Sequence, residues 1–359
     1  MQCLQTKIVH IDSLDCDASR DAILEAGAII RQGGLVVFPT ETVYGLGGDA
    51  TNEKAAFKIY KAKGRPSDNP LIIHVASPED AEKYAVTCPL YDRLADALMP
   101  GPLTVILPVR SVIPKTVTAS LPTVAVRCPE HPIAQALIRA AGVPIAAPSA
   151  NLSGSPSPTC GAHVIADMNG RVDMILDGGA SDVGVESTIV KIVDEKTLLL
   201  LRPGGITVED LQKCGCTVLI ADAVTEALKE GEQVLSPGMK YKHYAPKAPL
   251  TLLAGTSDSR MTYLKQRVFE LRAEGKRCAV IAYREECDLL RLSFPDTPIL
   301  DFGSQSDEKE QARLLFARLR ETDVLSIDEI YAPLPRLQGM GLALYNRMIR
   351  AAAHQILHT

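Results

Sequence analysis

Residues 236–249 read SPGMKYKHYAPKAP, with prolines at 237, 246 and 249 and no apolar periodicity. Proline removes a backbone donor and fixes φ, so neither a helix nor a central strand runs through such a stretch. It reads as a linker, and the pattern differs on its two sides. After it, apolar runs at 250–255, 277–283, 297–303 and 327–333 alternate with helical patterns over 259–274, 306–321 and 340–355. That rhythm predicts a small doubly wound parallel sheet. Before it, a helical pattern covers 19–32, and Gly33-Gly34 stops it. Strand-like runs follow at 35–40, 70–76, 103–109, 123–129, 143–151 and 172–179, with helices expected over 52–63 and 79–98. The runs 187–193 and 197–203 pair as a hairpin across Asp-Glu-Lys, and 204–235 reads as helix, strand, helix. The expected domains are therefore 1–235, a linker over 236–249, and 250–359.

Only 4% of the 359 residues are aromatic and none is Trp, so the core must rest on Val, Ile, Leu and Ala. The formal charge of −5 argues against non-specific coating of nucleic acid. No run of eighteen apolar residues and no signal-peptide pattern is visible, so a cytoplasmic protein without a membrane span is expected. The nine cysteines are scattered, and the close pair Cys214 and Cys216 has no partner pair at zinc spacing, so reduced thiols and no protein metal site are expected.

Against that acidic balance, KAKGRPSDNPLIIH (61–74) gathers Lys61, Lys63 and Arg65 just before a buried strand. A Lys and an Arg two apart suit an oxyanion. A solvated helix end is the simpler account. Other segments shift the balance. PTETVYGLGGDA (39–50) sets Thr40, Glu41, Thr42 and Tyr44 against a Gly-rich turn. APSANLSGSPSPT (147–159) is a hydroxyl-rich loop after a strand, suited to phosphate. Arg127 interrupts an apolar run, where a charge must be paired or bind a ligand. Ser187 and Arg202 add to the set. His74, alone in a strand, reads as structural.

The segments PTETVYGLG, KGRPSDNPLIIH, PGPLT, VAVRCPEHP, APSANLSG, GVESTI, LLRPG, SPGMKYKHYAP and the closing GMGLALYNRMIRAA occur in order along the chain. Together they resemble the threonylcarbamoyl-AMP synthase family in its long form. The resemblance implies a twisted α/β YrdC-type sheet domain with a positively lined concave face, then a smaller Rossmann-like parallel-sheet domain. It implies synthesis of threonylcarbamoyl-AMP from L-threonine, bicarbonate and ATP with Mg²⁺, feeding a tRNA-modifying transferase complex. It assigns Arg65, Asn69, Thr123, Ser149, Asn151, Ser157 and Arg202 to ATP, with Tyr244 of the linker reaching back over the nucleotide. It assigns Thr42, His74, Arg127, Ser187 and the backbone of Ala147 to threonine, and Lys63 with Arg65 to catalysis. An RNA-binding YrdC-type module without catalysis is the alternative, with weak RNA binding on the positive face. Against it, the hydroxyl-rich loops lack interleaved aromatics for base stacking. A carbamoyltransferase of metallo-enzyme maturation would carry Cys arrays that this chain lacks.

Overall fold

The structure, a computed structural model, describes residues 4–226 and 244–359. These fall into two compact units, one of residues 4–153 and 157–226, the other of 154–156 and 244–359. The boundary expected at 235 and most of the linker, through residue 243, lie outside the described residues.

The first unit is built on one mixed sheet. Its elements in chain order are β1 (Lys7–His10), α1 (Asp17–Arg31), β2 (Val36–Phe38), β3 (Gly45–Asp49), α2 (Glu53–Lys63), β4 (Ile72–His74), α3 (Pro89–Leu98) and β5 (Leu103–Pro108). Then come α4 (Lys115–Thr118), β6 (Thr123–Arg127), α5 (Pro132–Ala141), β7 (Ile145–Ala146), α6 (Gly161–Met168), β8 (Met174–Asp177), β9 (Thr188–Ile192), β10 (Thr197–Arg202), α7 (Val208–Lys213) and β11 (Thr217–Ile220). The strands lie in the order β1-β8-β2-β3-β7-β4-β6-β5-β9-β10-β11. Parallel and antiparallel pairs mix along it, which is why no strict βαβ rhythm was visible in the sequence. Helices α1 and α5 cover one end through Ile23, Ala26, Ile30, Leu137 and Ile138, packed on Val36, Phe38, Ile145, Met174 and Leu176. The aliphatic core is the one the composition demanded.

Three expectations need correction. The helix expected over 79–98 is a 3-10 turn, Pro78–Lys83, followed by α3. Ala85 bridges Val109 between them, and Pro89 at the start of α3 is preset for a first helical turn but not a helix interior. The Gly-rich turn expected after Tyr44 is a fully buried strand, β3. A Cβ on Gly47 would sit 2.8 Å from both Phe38 Cε1 and Ile145 Cγ2, so only glycine lets the Phe38 ring lie against this strand. The run 143–151 is a strand only at Ile145–Ala146.

The second unit holds β12 (Leu250–Ala254), α8 (Ser257–Ala273), β13 (Cys278–Ala282), α9 (Arg284–Ser293), β14 (Ile299–Asp301), α10 (Glu308–Thr322), β15 (Glu329–Pro333), α11 (Gly341–Ala351) and β16 (Ile356–His358). All pairs are parallel, in the order β14-β13-β15-β12-β16. The sequence reading missed α9 and β16, and carried the last helix too far. Leu264, Val268, Leu271, Cys287 and Leu290 of α8 and α9 share one core cluster with Leu253, Val280, Ala282 and Tyr331 of the sheet. With right-handed crossovers, α10 and α11 belong to the opposite face. The unit is a doubly wound, Rossmann-like sheet.

Candidate active site

The cationic stretch that opened the question is not a solvated helix end. Lys61 is exposed, but Lys63 and Arg65 are buried. Asn52 caps the start of α2 by accepting from the Lys54 and Ala55 amides, and Gly64 ends it in the left-handed region, φ +63°. That ending turns the chain so that Lys63 reaches the 149–151 loop. Its Nζ donates to Ser149 O (2.5 Å), Asn151 O (2.7 Å) and Asn151 Oδ1 (3.3 Å). The Ser149 hydroxyl donates to Asn151 Oδ1 as well. Lys63, Ser149 and Asn151 thus form one knot.

Arg65 donates to Asn69 O, and Tyr60 Oη donates to the same carbonyl (2.9 Å). The Asn69 side chain is fully buried, and neither its Oδ1 nor its Nδ2 has a hydrogen-bond partner among the described residues. Orphaned buried groups of this kind cost about 1–3 kcal/mol each, so this amide is poised for a ligand.

The sheet registers fix the next group. His74 of β4 and Thr104 of β5 both pair with Arg127 of β6, so the three side chains share a face. Ile72, Ile106 and Ala125 follow two residues back, and Thr123 four back on that face. At about 3.3 Å per residue, Thr123 and Arg127 stand roughly 13 Å apart along one strand, with the small Ala125 between them. Arg127 NH2 donates to Glu41 Oε1 at 2.7 Å in a pair that is about 95% buried. Glu41 Oε2 and Arg127 Nε have no hydrogen-bond partner among the described residues. The sequence reading quoted Glu41 but gave it no role. The adjacent Thr42 is buried, its hydroxyl 2.8 Å from that of Thr40.

His74 is wholly buried. Burial, and next the Arg127 charge, push its imidazole down to about 3, so it stays neutral. The Ala147 N–H donates to Ile72 O, so any backbone contact offered there is through the carbonyl. Ser187 and Thr104 hydroxyls lie 2.8 Å apart. Arg202, at the end of β10 where the register slips, donates twice to Ser187 O and once to Ser187 Oγ. Ser157 donates to the Glu186 carboxylate. Hydrogen bonds and sheet register therefore join Arg202, Ser187, Thr104, Arg127, His74 and Glu41.

Tyr244, assigned above to the nucleotide, belongs to the other unit. It is buried in the second unit, at φ +63°, its ring 5.2 Å from that of Phe316 and under the Arg347 guanidinium. Residues 236–243 of the linker over 236–249, which is expected to close over the active site, lie outside the described residues. Among the described residues no three or more His, Cys, Asp or Glu gather as a metal cage.

Two family models match. One described as "Telomere recombination" covers residues 28–204. The other, "Threonylcarbamoyl-AMP synthase, C-terminal domain", covers 206–353. The threonylcarbamoyl-AMP synthase of Pyrococcus abyssi is 42% identical over 92% of this chain and 94% of that one. The Bacillus subtilis protein of the same name is 41% identical over 99% and 100%. The chain belongs to the threonylcarbamoyl-AMP synthase family. A crystal structure of the Pyrococcus abyssi protein Sua5 complexed with L-threonine superposes with a TM-score of 0.91, at 40% identity, over 99% of this chain and 100% of that one. The family's two-part fold agrees with the two sheets described above. No described helix is long and apolar enough to cross a membrane.

Proposed function

We propose that this chain condenses L-threonine, bicarbonate and ATP into threonylcarbamoyl-AMP and pyrophosphate in the cytoplasm, for a transferase complex that modifies the adenosine beside the anticodon of tRNA. The observation that carries this reading is a set of buried cations, Lys63, Arg65, Arg127 and Arg202, placed among buried hydroxyls and amides in the first unit. A carboxylate, bicarbonate and a triphosphate repel one another, and fixed cations offset that repulsion when they are assembled.

In this reading the threonine carboxylate goes to Arg127, beside Thr42, His74, Ser187 and the Ala147 carbonyl. The nucleotide goes to Arg65, Asn69, Thr123, Ser149, Asn151, Ser157 and Arg202. Lys63 acts by holding the Ser149–Asn151 loop, and Tyr244 is the residue proposed to reach the nucleotide from the linker. The roughly 13 Å between Thr123 and Arg127 suits a nucleotide laid along one strand face with the amino acid at its α-phosphate end. The threonine ammonium first loses a proton to solvent; the neutral nitrogen attacks the carbon of bicarbonate, water leaves, and a carbamate forms. A carbamate oxygen then attacks the α-phosphorus and the bond to pyrophosphate breaks. This chemistry rests on positioning and charge neutralisation. Mg²⁺ enters as part of the ATP substrate. The cluster's carboxylates, Glu41 and Glu186, are engaged with Arg127 and Ser157, and no step is assigned to the metal.

The test is pyrophosphate release and ATP–pyrophosphate exchange in carbonate-depleted buffer, with threonine or serine, followed by mass analysis of the adenylate. Release that needs both bicarbonate and threonine is expected. Full exchange without bicarbonate would mean simple aminoacyl adenylation and would overturn the reading.

A further inference from the structure

We propose that Glu41 is the counter-ion for the threonine ammonium, so that Glu41 and Arg127 together form a charge-inverted match for the amino-acid zwitterion. The inference rests on the threonine reading of this cluster and goes one residue beyond it. An α-amino acid carries a carboxylate and an ammonium on one carbon. A site that reads both needs a cation and an anion side by side, and Arg127 NH2 stands 2.7 Å from Glu41 Oε1.

The pair is also incomplete as a structural ion pair. Both side chains are about 95% buried, yet Glu41 Oε2 and Arg127 Nε have no hydrogen-bond partner among the described residues. A buried pair offsets its desolvation only when its remaining donors and acceptors are met. Here one acceptor on the anion and one donor on the cation are left for something else. The bound zwitterion supplies both: ammonium protons to Oε2, a carboxylate oxygen to the guanidinium.

The neighbours leave Glu41 as the anion for this task. His74 is neutral and carries no counter-charge. The Thr40, Thr42, Thr104 and Ser187 side chains are uncharged hydroxyls. The Glu186 carboxylate accepts from Ser157. The charge sum is consistent as well. A zwitterion adds no net charge to a buried neutral pair. A carboxylate without an ammonium adds a negative charge beside Glu41, and an amine without a carboxylate adds a positive charge beside Arg127. Both are disfavoured in a low-dielectric site. After carbamoylation the nitrogen keeps one N–H, which still donates to Oε2 while the new carboxylate extends toward the phosphate end.

The experiment is calorimetric titration of the full-length protein, without ATP, with L-threonine and with (R)-3-hydroxybutanoate, the same skeleton without the amine. Wild type is expected to favour threonine by about tenfold or more, the scale of one charge-assisted contact. Glu41→Gln is expected to lose most of that preference while hydroxybutanoate binds as well as before or better. Equal weakening of both ligands would make Glu41 only a clamp for Arg127 and would overturn the proposal. Wild type binding the two ligands equally would overturn it without any variant, and so covers a Gln variant that fails to fold. Wild type binding neither would overturn the threonine reading itself, and this proposal with it.

Discussion

Replacing Lys63 with Met keeps an unbranched side chain one atom shorter and removes the ammonium and its charge. Three acceptors lose their donor: the carbonyls of Ser149 and Asn151 and the amide oxygen of Asn151. The amide oxygen keeps the Ser149 hydroxyl, so the net loss falls on the two carbonyls. At about 1–3 kcal/mol for each buried acceptor left unmet, with the half-buried Ser149 carbonyl partly regaining water, the loss is roughly 3 kcal/mol. For a domain of this size that lowers Tm by about 6–12 °C. The loop the lysine holds carries Ser149 and Asn151, both assigned to the nucleotide, so the KM for ATP should rise while calorimetric binding of threonine alone holds. Differential scanning calorimetry on the full chain, followed by steady-state kinetics with each substrate varied, checks both parts. A variant with unchanged Tm and unchanged ATP dependence would refute the idea that Lys63 organises this loop. A variant with normal Tm but no turnover would instead put the ammonium directly on the reacting groups.

Arg65→Ala should weaken ATP use, and Arg127→Ala threonine use, each by about ten- to a hundredfold for a lost charged contact; wild-type kcat/KM for both would remove the site assignment. The His74 pKa is depressed from 6.5 to about 3, so the folded state resists a proton that the unfolded state takes up. Its contribution is therefore present above pH 6.5 and is lost at up to about 1.4 kcal/mol per pH unit as pH falls from there toward 3; Tm of His74→Gln should fall less steeply than wild type across that window, and parallel curves would contradict the burial argument. Gly47→Ala puts a methyl 2.8 Å from Phe38 and Ile145, and overpacking of this kind should cost about 1–3 kcal/mol by thermal melt. Gly64→Ala meets nothing within 4 Å and should cost only the left-handed backbone term, about 1–2 kcal/mol.

The second unit was legible because its central strands β12, β13 and β15 are mostly buried and read as apolar runs between helical patterns, whereas β16, with no buried residue, was missed. Helix α9 was missed because it is short and mostly polar, reading REECDLLRLS with Cys287 and Leu290 its only buried residues. In the first unit the failure at β3 is instructive. Gly45, Gly47 and Gly48 look like a turn by propensity, but tertiary packing against Phe38 and Ile145 makes glycine the residue that fits a strand there. The candidate site residues were proposed from multi-residue motifs; the hydrogen-bond partners the structure gives them were not legible. Nothing local in PTETVYG says that Glu41 will face Arg127, 86 positions later. Nor does the pattern of KAKGRP reveal that Lys63 turns inward while Lys61 stays in solvent; that depends on where Gly64 ends the helix.

The buried cations also raise a folding question that the pattern of partners answers. Four bare positive charges in one region of an acidic chain would each carry a desolvation cost of several kcal/mol. Lys63 instead rests on loop carbonyls, Arg202 on Ser187 O, Arg65 on Asn69 O, and Arg127 on a carboxylate. The oxygens that receive Lys63, Arg65 and Arg202 in these bonds are neutral, and a neutral oxygen satisfies a donor without cancelling its charge. Arg127 is neutralised by the Glu41 carboxylate, and it is assigned a zwitterion, a ligand that carries its own cation and requires no net field. For Arg127 a carboxylate as resting partner thus matches the zero net charge of the ligand it is proposed to serve.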